Sequence, residues 1–315
     1  MTTKILGFVC VRYYNIFSHE FETGTKNKHT GRDQGKDTKG KIRIRKGVFG
    51  AMKNRMAVSF LMAVVFIVMV LVSHTWAQDL SNKAHHWGFK KSTNHEPPQA
   101  GPEWEELLQT YGSFYIGDTS KKNIYLTFDN GYENGYTADI LDTLQEKEVP
   151  ATFFVTGHYL QDQPELVQRM VKEGHIVGNH SWSHPDFTTI SDAEIKKELS
   201  RVEEAFEQIT GQKGMTYLRP PRGIFSERSL AASQQLGYRN VFWSLAFVDW
   251  QTDQQKGWTY AYDNITRQIH PGAVILLHTV SSDNAEALPK VIDDLRKEGY
   301  AFKSLDDLVQ DFILG

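Results

Sequence analysis

The chain alternates short apolar segments with helical patterns from residue 121 to residue 312. Short runs rich in β-branched and aromatic residues predict strands, whereas apolar residues that repeat every three or four positions predict helices. The predicted strands are 123–128, 151–155, 175–178, 241–244 and 273–278. The predicted helices are 136–147, 164–173, 191–210, 226–236, 259–269, 284–298 and 305–312. This alternation predicts an α/β fold in which helices cover a parallel sheet.

Polar motifs follow several of the predicted strands directly. They are T-F-D-N at 127–130, H-S-W-S-H at 180–184, R-P-P-R-G at 219–223, D-W at 249–250 and L-L-H at 276–278. In a barrel of parallel strands, the loops at the carboxyl ends of the strands build one site. The placing of the motifs therefore favours a barrel in which all five surround the same site.

One acid and two histidines supply the first candidate chemistry. Asp129 ends a buried strand, where it can serve as a general base, although acids at such positions are often turn residues. His180 and His184 are four residues apart, so on a helical turn both imidazoles would project from one face and share a metal ion. The alternative for the pair is a solvated turn.

Two further motifs suggest charge pairing and proton donation. The prolines of the 219–223 loop restrict its backbone, so Arg219 could hold Asp129 ionised while Arg222 faces a substrate anion. The alternative is a surface turn with solvated arginines. His278 ends a strand and would be a general acid if a buried carboxylate oriented it, or a histidine satisfied by a backbone carbonyl if not.

Together, the five motifs resemble those of the polysaccharide deacetylase, or NodB-homology, domain of carbohydrate esterase family 4, over residues 121–312. The resemblance implies a distorted (β/α) barrel that forms a single catalytic domain. It also implies a hydrolase that removes N-acetyl groups from sugar polymers, with a divalent metal ion commonly held by an Asp-His-His set.

The resemblance assigns a role to each matching residue. Asp129 corresponds to the base that deprotonates water, and His278 corresponds to the acid that protonates the leaving amine. His180 and His184 correspond to metal ligands. The remaining assignments are Asp249 as the residue that orients His278, Arg219 as the partner of Asp129, and the backbone near Arg222 as a donor to the oxyanion.

The chain departs from the family pattern at two positions. Asn130 stands where the family has a second Asp that binds the metal, and Ala246 stands where many members have the first Asp of D-x-x-D-W. An amide oxygen brings no charge, so we expect Asn130 to complete a weak site for zinc, cobalt, manganese or magnesium.

T-F-D-N-G-Y together with R-P-P-R-G resembles one subgroup, the δ-lactam-biosynthetic de-N-acetylases of spore-forming bacteria, which act on N-acetylmuramic acid in spore-cortex peptidoglycan. That resemblance suggests that Arg222 binds the lactyl carboxylate of muramic acid and that Trp250 contacts the sugar. Two alternatives remain open. One is a deacetylase of N-acetylglucosamine in peptidoglycan or chitin, and the other is a non-catalytic glycan-binding module.

The N-terminal part differs in character from the rest. Residues 52–77 combine a short basic stretch, an apolar run at 57–73 and small residues before Gln78, as in a cleaved signal peptide or a membrane anchor. Residues 1–51 precede this segment, so we expect them to be absent from the native protein or disordered. Residues 78–120 are expected to form a linker or an N-terminal extension. The only cysteine is Cys10, so no disulfide is expected after residue 52.

Charge separates the two parts further. Residues 1–51 hold eleven basic and four acidic side chains, a balance of +7, whereas the remainder carries −10. An acidic body argues against nucleic acid as a partner. We expect an exported monomer that acts on peptidoglycan strands in the cell wall or the intermembrane space of the forespore. Contact with a membrane is expected only through the N-terminal segment.

Overall fold

The computed structural model describes residues 80–91 and 94–314, with the side chain of residue 314 left out. The strands are β1 (His85–His86), β2 (Asn123–Asn130), β3 (Ala151–Val155), β4 (Ile176–Asn179), β5 (Tyr217–Leu218), β6 (Ile224–Phe225), β7 (Arg239–Asn240), β8 (Ala273–His278) and β9 (Ala301–Phe302). The helices are α1 (Pro102–Thr110), α2 (Thr137–Glu146), α3 (Gly157–Asp162), α4 (Pro164–Lys172), α5 (Asp192–Thr210), α6 (Glu227–Gln235), α7 (Trp258–Gln268), α8 (Ser282–Lys297) and α9 (Leu305–Leu314). The predicted segments 1–51 and 52–77, with Cys10, lie outside the described residues.

A parallel sheet with the order β7-β5-β4-β3-β2-β8 forms the centre, and β9 pairs with the start of β2. The amide of Val241 donates to the carbonyl of Leu218, and Leu245 forms a parallel bridge with Ile275. The segment 241–245 therefore runs between β5 and β8 and curls the sheet into an incomplete barrel. The predicted (β/α) barrel is confirmed, with every motif at the carboxyl edge of the strands.

Helices cover the outside of the sheet because each presents one apolar face. Buried side chains such as Ile140 of α2, Val202 of α5 and Val291 of α8 pack against the strands. The N-terminus of α5 forms the predicted capping box, in which Ser191 and Glu194 satisfy each other's backbone amides.

The structure differs from the sequence prediction at two places. No regular strand forms at the expected 241–244: β7 ends at Asn240, and isolated bridges follow, in which Val241 pairs with Phe114 and Leu245 pairs with Ile275. Helix α3 was not predicted, since six residues are too few to show a period. It begins where the hydroxyl of Thr156 accepts a bond from the Tyr159 amide.

Residues 80–91 and 94–101, which we call the N-terminal arm, lie against the barrel. Strand β1 pairs antiparallel with β6, and the ring of Trp87 packs 4.8 Å from that of Phe242 between centroids. Asn82 donates to the carbonyl of Thr188 and accepts from the hydroxyl of Ser226. The arm thus connects two loops that surround the carboxyl edge of the sheet.

Within the described part of the chain, the structure contains no helix that is both long enough and apolar enough to cross a membrane.

Candidate active site

Strand register brings the first two candidate residues together. Asp129 of β2 pairs with His278 of β8, so both side chains point to the same side of the sheet at the same level. On the next strands, Asn179 pairs with Leu218, which places His180 and Arg219 side by side just beyond the strand ends. Four residues distant in sequence therefore meet at one edge.

Asp129 and Arg219 form a buried ion pair. The guanidinium Nη1 of Arg219 donates to Oδ1 of Asp129 at 2.7 Å, and Nη2 donates to the hydroxyl of Thr127 at 2.8 Å. Arg219 is 0% exposed and Asp129 is 8% exposed. Burial alone would raise the pKa of Asp129, but the charge and hydrogen bond of Arg219, together with the nearby His180 and His278, outweigh it and hold the pKa below the ordinary 3.8. Asp129 is therefore ionised at neutral pH, as a general base must be.

The two histidines of H-S-W-S-H lie together, although not on the expected helical turn. Ser181 and His184 have φ angles of 64° and 57°, so the segment is an irregular loop with two left-handed residues. The imidazole centroids of His180 and His184 are 4.7 Å apart. The ring of Trp182 fills the space where a Cβ at Gly157 would stand, within 2.2 Å, so position 157 requires glycine.

Both imidazoles are held in the neutral form. Burial lowers the pKa of His180 despite the nearby Asp129, and burial with the neighbouring His180 lowers the pKa of His184 to about 4. Nδ1 of His180 lies 2.8 Å from the carbonyl oxygen of Arg219, which can only accept, so this nitrogen carries the hydrogen. Nε2 of His180 keeps its lone pair and lies 3.5 Å from Oδ2 of Asp129.

His278 and Asp249 form a second pair across the cavity. Nδ1 of His278 donates to Oδ1 of Asp249 at 2.7 Å, and the amide of His278 donates to Oδ2 at 2.8 Å. Burial lowers the pKa of His278, but the charge and hydrogen bond of Asp249, with the nearby Asp129, raise it, and the net result is a pKa above 6.5. Trp250 is 47% exposed, and its ring lies 5.6 Å from that of His278.

The R-P-P-R-G loop carries a strained residue at the cavity. Arg222 has a φ of 57°, a left-handed conformation that costs a residue with a side chain about 1–3 kcal/mol. Its Nη2 lies 4.0 Å from Oδ2 of Asp186, too far for a hydrogen bond, and its side chain is 54% exposed. The amide of Trp87 in the N-terminal arm donates to the carbonyl of Gly223 at 2.8 Å, so the arm holds this loop from behind.

These residues surround a cavity of about 640 Å³ at the carboxyl edge of the sheet. The predicted residues that line it are Asp129, His180, His184, Arg222, Trp250 and His278. Sequence reasoning missed Tyr132 and His158, which follow β2 and β3, as lining residues. Their position directly after strands was the available signal. Arg219 and Asp249 stand behind the lining and contact Asp129 and His278.

Asn130 was predicted to be a site residue, but its side chain does not line the cavity. It follows Asp129 in the same strand, so its side chain points to the opposite face. It is 0% exposed, and its Nδ2 donates to the hydroxyl of Thr279 at 2.8 Å. Its Oδ1 is buried without a hydrogen-bond partner among the described residues. Contrary to the expectation, this geometry does not make Asn130 a metal ligand.

Replacing Asn130 by Asp is therefore expected to leave metal affinity unchanged within about twofold. The new carboxylate would be buried on the helix side of β2, and we expect the free energy of unfolding to fall by about 1–3 kcal/mol. Calorimetric titration with zinc and a thermal unfolding curve check the two parts. Tighter zinc binding by the variant would show that side chain 130 reaches the ion.

The donor set fits a cation only in part. Two neutral imidazoles, one with its second nitrogen bonded to a carbonyl, are the arrangement that metal-binding histidines show. Among the described residues, no group of three or more His, Cys, Asp or Glu is spaced to hold a metal ion. His180 and His184 thus fit as two ligands, and the protein supplies no third ligand from Asn130.

Comparisons with known proteins identify the family of the chain. The polysaccharide deacetylase family model matches residues 116–241. An uncharacterized 30.6 kDa protein of Geobacillus stearothermophilus is 68% identical over 232 residues, which are 74% of this chain and 88% of that protein. The peptidoglycan-N-acetylmuramic acid deacetylase PdaA of Bacillus subtilis is 56% identical over 233 residues, which are 74% of this chain and 89% of that protein.

The solved structure of Bacillus subtilis PdaA, a family 4 carbohydrate esterase, superimposes with a TM-score of 0.73 and covers 74% of this chain and 99% of that one. Identity and coverage at this level extend over the whole incomplete barrel. The chain is therefore a member of the polysaccharide deacetylase family, carbohydrate esterase family 4, and a hydrolase of amide C–N bonds.

Proposed function

We propose that the protein removes the N-acetyl group from N-acetylmuramic acid residues of peptidoglycan and releases acetate. The observation that carries the proposal is a pair of groups with opposite pKa shifts across one cavity. Asp129 has a lowered pKa and His278 a raised one, in register on neighbouring strands. Such a pair provides a resting base and a resting acid at the same pH. The relative PdaA, named for this substrate, supports the choice of sugar.

The carboxylate oxygen of Asp129 and the ring nitrogen of His278 that make no hydrogen bond to Arg219 or Asp249 are the atoms that can transfer protons. Oδ1 of Asp129 is occupied by Arg219, so Oδ2 takes the proton from an attacking water. The hydroxide adds to the acetamide carbonyl, and a tetrahedral oxyanion forms. Nδ1 of His278 is bonded to Asp249, so Nε2 delivers its proton to the departing nitrogen. The C–N bond breaks, and the products are acetate and the amine.

Members of the family generally depend on a metal ion. In this chain His180 and His184 would hold a divalent cation, weakly because Asn130 faces away. When bound there, the cation supplies Lewis-acid polarisation of the carbonyl that water attacks.

Arg222 supports muramic acid as the sugar. Muramic acid carries a lactyl carboxylate that N-acetylglucosamine lacks, and a guanidinium recognises a carboxylate through paired hydrogen bonds. Arg222 lines the cavity, and at 4.0 Å from Asp186 it retains donors for a ligand. The bond from the arm to the carbonyl of Gly223 and the prolines of the loop hold the backbone of Arg222 at the rim.

Replacing Arg222 by Ala is expected to lower kcat/KM on muramic residues by about 10- to 100-fold, the loss of a charge-assisted hydrogen bond of about 1.5–3 kcal/mol. Activity on N-acetylglucosamine residues should change less than about threefold. Acetate release from defined glycan fragments measures both. Arg267→Ala, at an exposed position on α7, is the matched control. Equal losses on the two sugars would contradict the carboxylate role.

The proposal as a whole is tested by mass spectrometry of peptidoglycan treated with residues 78–315, with and without a chelator. Loss of one acetyl group from muramic residues is the expected result. Loss of an acetyl group from glucosamine residues instead would mean that the reaction is right but that the substrate is N-acetylglucosamine. Absence of acetate with every divalent metal tried would leave a glycan-binding module.

The proposed setting is outside the cytoplasm, in the cell wall or the intermembrane space of the forespore. It rests on the signal-like pattern of residues 52–77, and deacetylated muramic acid is the amine from which a muramic δ-lactam would close. N-terminal sequencing of the protein recovered from an exporting cell checks the location. A protein found only in the cytoplasm with an intact N-terminus would contradict it.

A further inference from the structure

Asp249, the carboxylate behind the general acid, depends on a third residue. It is 4% exposed and accepts three hydrogen bonds. Two come from His278, through Nδ1 to Oδ1 and through the backbone amide to Oδ2. The third comes from Nδ2 of Asn284, which donates to Oδ2 at 2.7 Å.

Asn284 is itself held firmly in place. It is 2% exposed and lies in the first turn of α8, where its backbone amide donates to the hydroxyl of the capping residue Ser281 at 3.2 Å. Its Nδ2 also donates to the carbonyl of His278 at 3.1 Å. A carboxylate and a carbonyl only accept, so the amide orientation with NH₂ facing Asp249 follows from chemistry.

One of the two bonds from His278 comes from the ring that Asp249 orients, so only the bond from the backbone amide ties the carboxylate to strand β8. Asn284 connects the carboxylate and the backbone of His278 to helix α8 at the same time. We propose that Asn284 is a positioning residue that fixes the His278–Asp249 pair for proton donation. Asn284 does not line the cavity, so it acts through Asp249 rather than on the substrate.

The expected effect of losing this amide is on proton delivery. Without it Oδ2 of Asp249 keeps one bond instead of two, so the carboxylate is held less tightly against the imidazole. Nε2 of His278 must lie within hydrogen-bond reach of the leaving nitrogen, so a looser imidazole slows the step. We expect kcat to fall about 10- to 100-fold in Asn284→Ala, with KM changed less than about twofold.

The test is a double-mutant cycle on acetate release, with Asp249→Asn as the second change. If Asn284 acts through Asp249, then Asn284→Ala lowers kcat less than about twofold in the Asp249→Asn background. Asn284→Leu fills the volume of the asparagine side chain without a hydrogen-bond donor, so its kcat should fall as in Asn284→Ala. It replaces the alanine variant in the test if that variant does not fold. Asn264→Ala, which loses a bond to the carbonyl of Tyr260 on α7, is the control.

Three results would overturn the proposal: wild-type kcat in Asn284→Leu, a loss confined to KM, or the same loss in both backgrounds. The proposal rests on the deacetylase reaction, so acetate release by the wild-type protein is measured first. If the wild-type protein released no acetate, both the proposed deacetylase function and the proposed role of Asn284 would be wrong. Release by wild type with one of those three results would remove only the role of Asn284.

Discussion

Replacing Asp129 by Asn is expected to lower kcat for acetate release by about 100- to 10,000-fold, the usual contribution of a general base. The amide has nearly the same shape as the carboxylate but cannot take a proton from water. The residue is 8% exposed and lines the cavity, so it is the carboxylate in place to take that proton. Initial rates at saturating substrate, on protein shown to be folded, measure the effect.

The control for this variant is Asp139→Asn, at an exposed acid in the first turn of α2. It should keep kcat within about twofold, because surface changes away from a site are usually small. If Asp129→Asn retained more than a tenth of wild-type kcat, another group would have to be the base.

Replacing Arg219 by Met is expected to lower the free energy of unfolding by about 3–5 kcal/mol, since it leaves the buried Asp129 carboxylate without its cation. The guanidinium is 0% exposed and also bonds the carbonyl of Val241 and the hydroxyl of Thr127. Urea unfolding at neutral pH measures the loss. Activity should fall as well, because an unpaired Asp129 would be protonated more readily.

The effect of Arg219→Met should depend on pH in a defined direction. In the wild type the pKa of Asp129 is lowered, so the pair contributes stability above the ordinary carboxyl pKa of 3.8 and loses it as pH falls through the lower, folded-state pKa. In the variant, burial without Arg219 raises the pKa of Asp129, and protonation relieves the destabilisation as pH falls. The stability difference between the proteins should therefore narrow on acidification.

The double variant Asp129→Asn, Arg219→Met separates charge from packing. It contains no uncompensated charge, so it should be more stable than Arg219→Met alone. A double variant that is no more stable than the single one would mean that Arg219 acts mainly through packing, for example against the ring of Phe154 at 4.2 Å.

Motifs read from the sequence predicted most of the residues around the cavity. Asp129, His180 and His278 were predictable because each ends or follows a predicted apolar strand, and parallel strands bring their carboxyl ends to one edge. Arg219 was predictable from its proline-restricted loop, because the short strand before it was not predicted. Asp249 was predictable only through the resemblance, since it follows no regular strand in the structure. The roles of these residues in catalysis stay predictions until the variants are measured.

Other features could not be read from the motifs. Asn284 is an ordinary residue in a helix, and only the packing of α8 against β8 brings it to Asp249. The N-terminal arm contacts Gly223 over a separation of more than 130 residues, which no local pattern encodes.

The sequence by itself determined the fold class, the alternation of strands and helices, and the set of side chains at the carboxyl edge. These follow from apolar periodicity and local turn chemistry, which act over a few residues. The tertiary structure decided which way adjacent side chains face. Asp129 enters the cavity and Asn130 lies behind the sheet, because successive side chains of a strand alternate and β8 fixes the register.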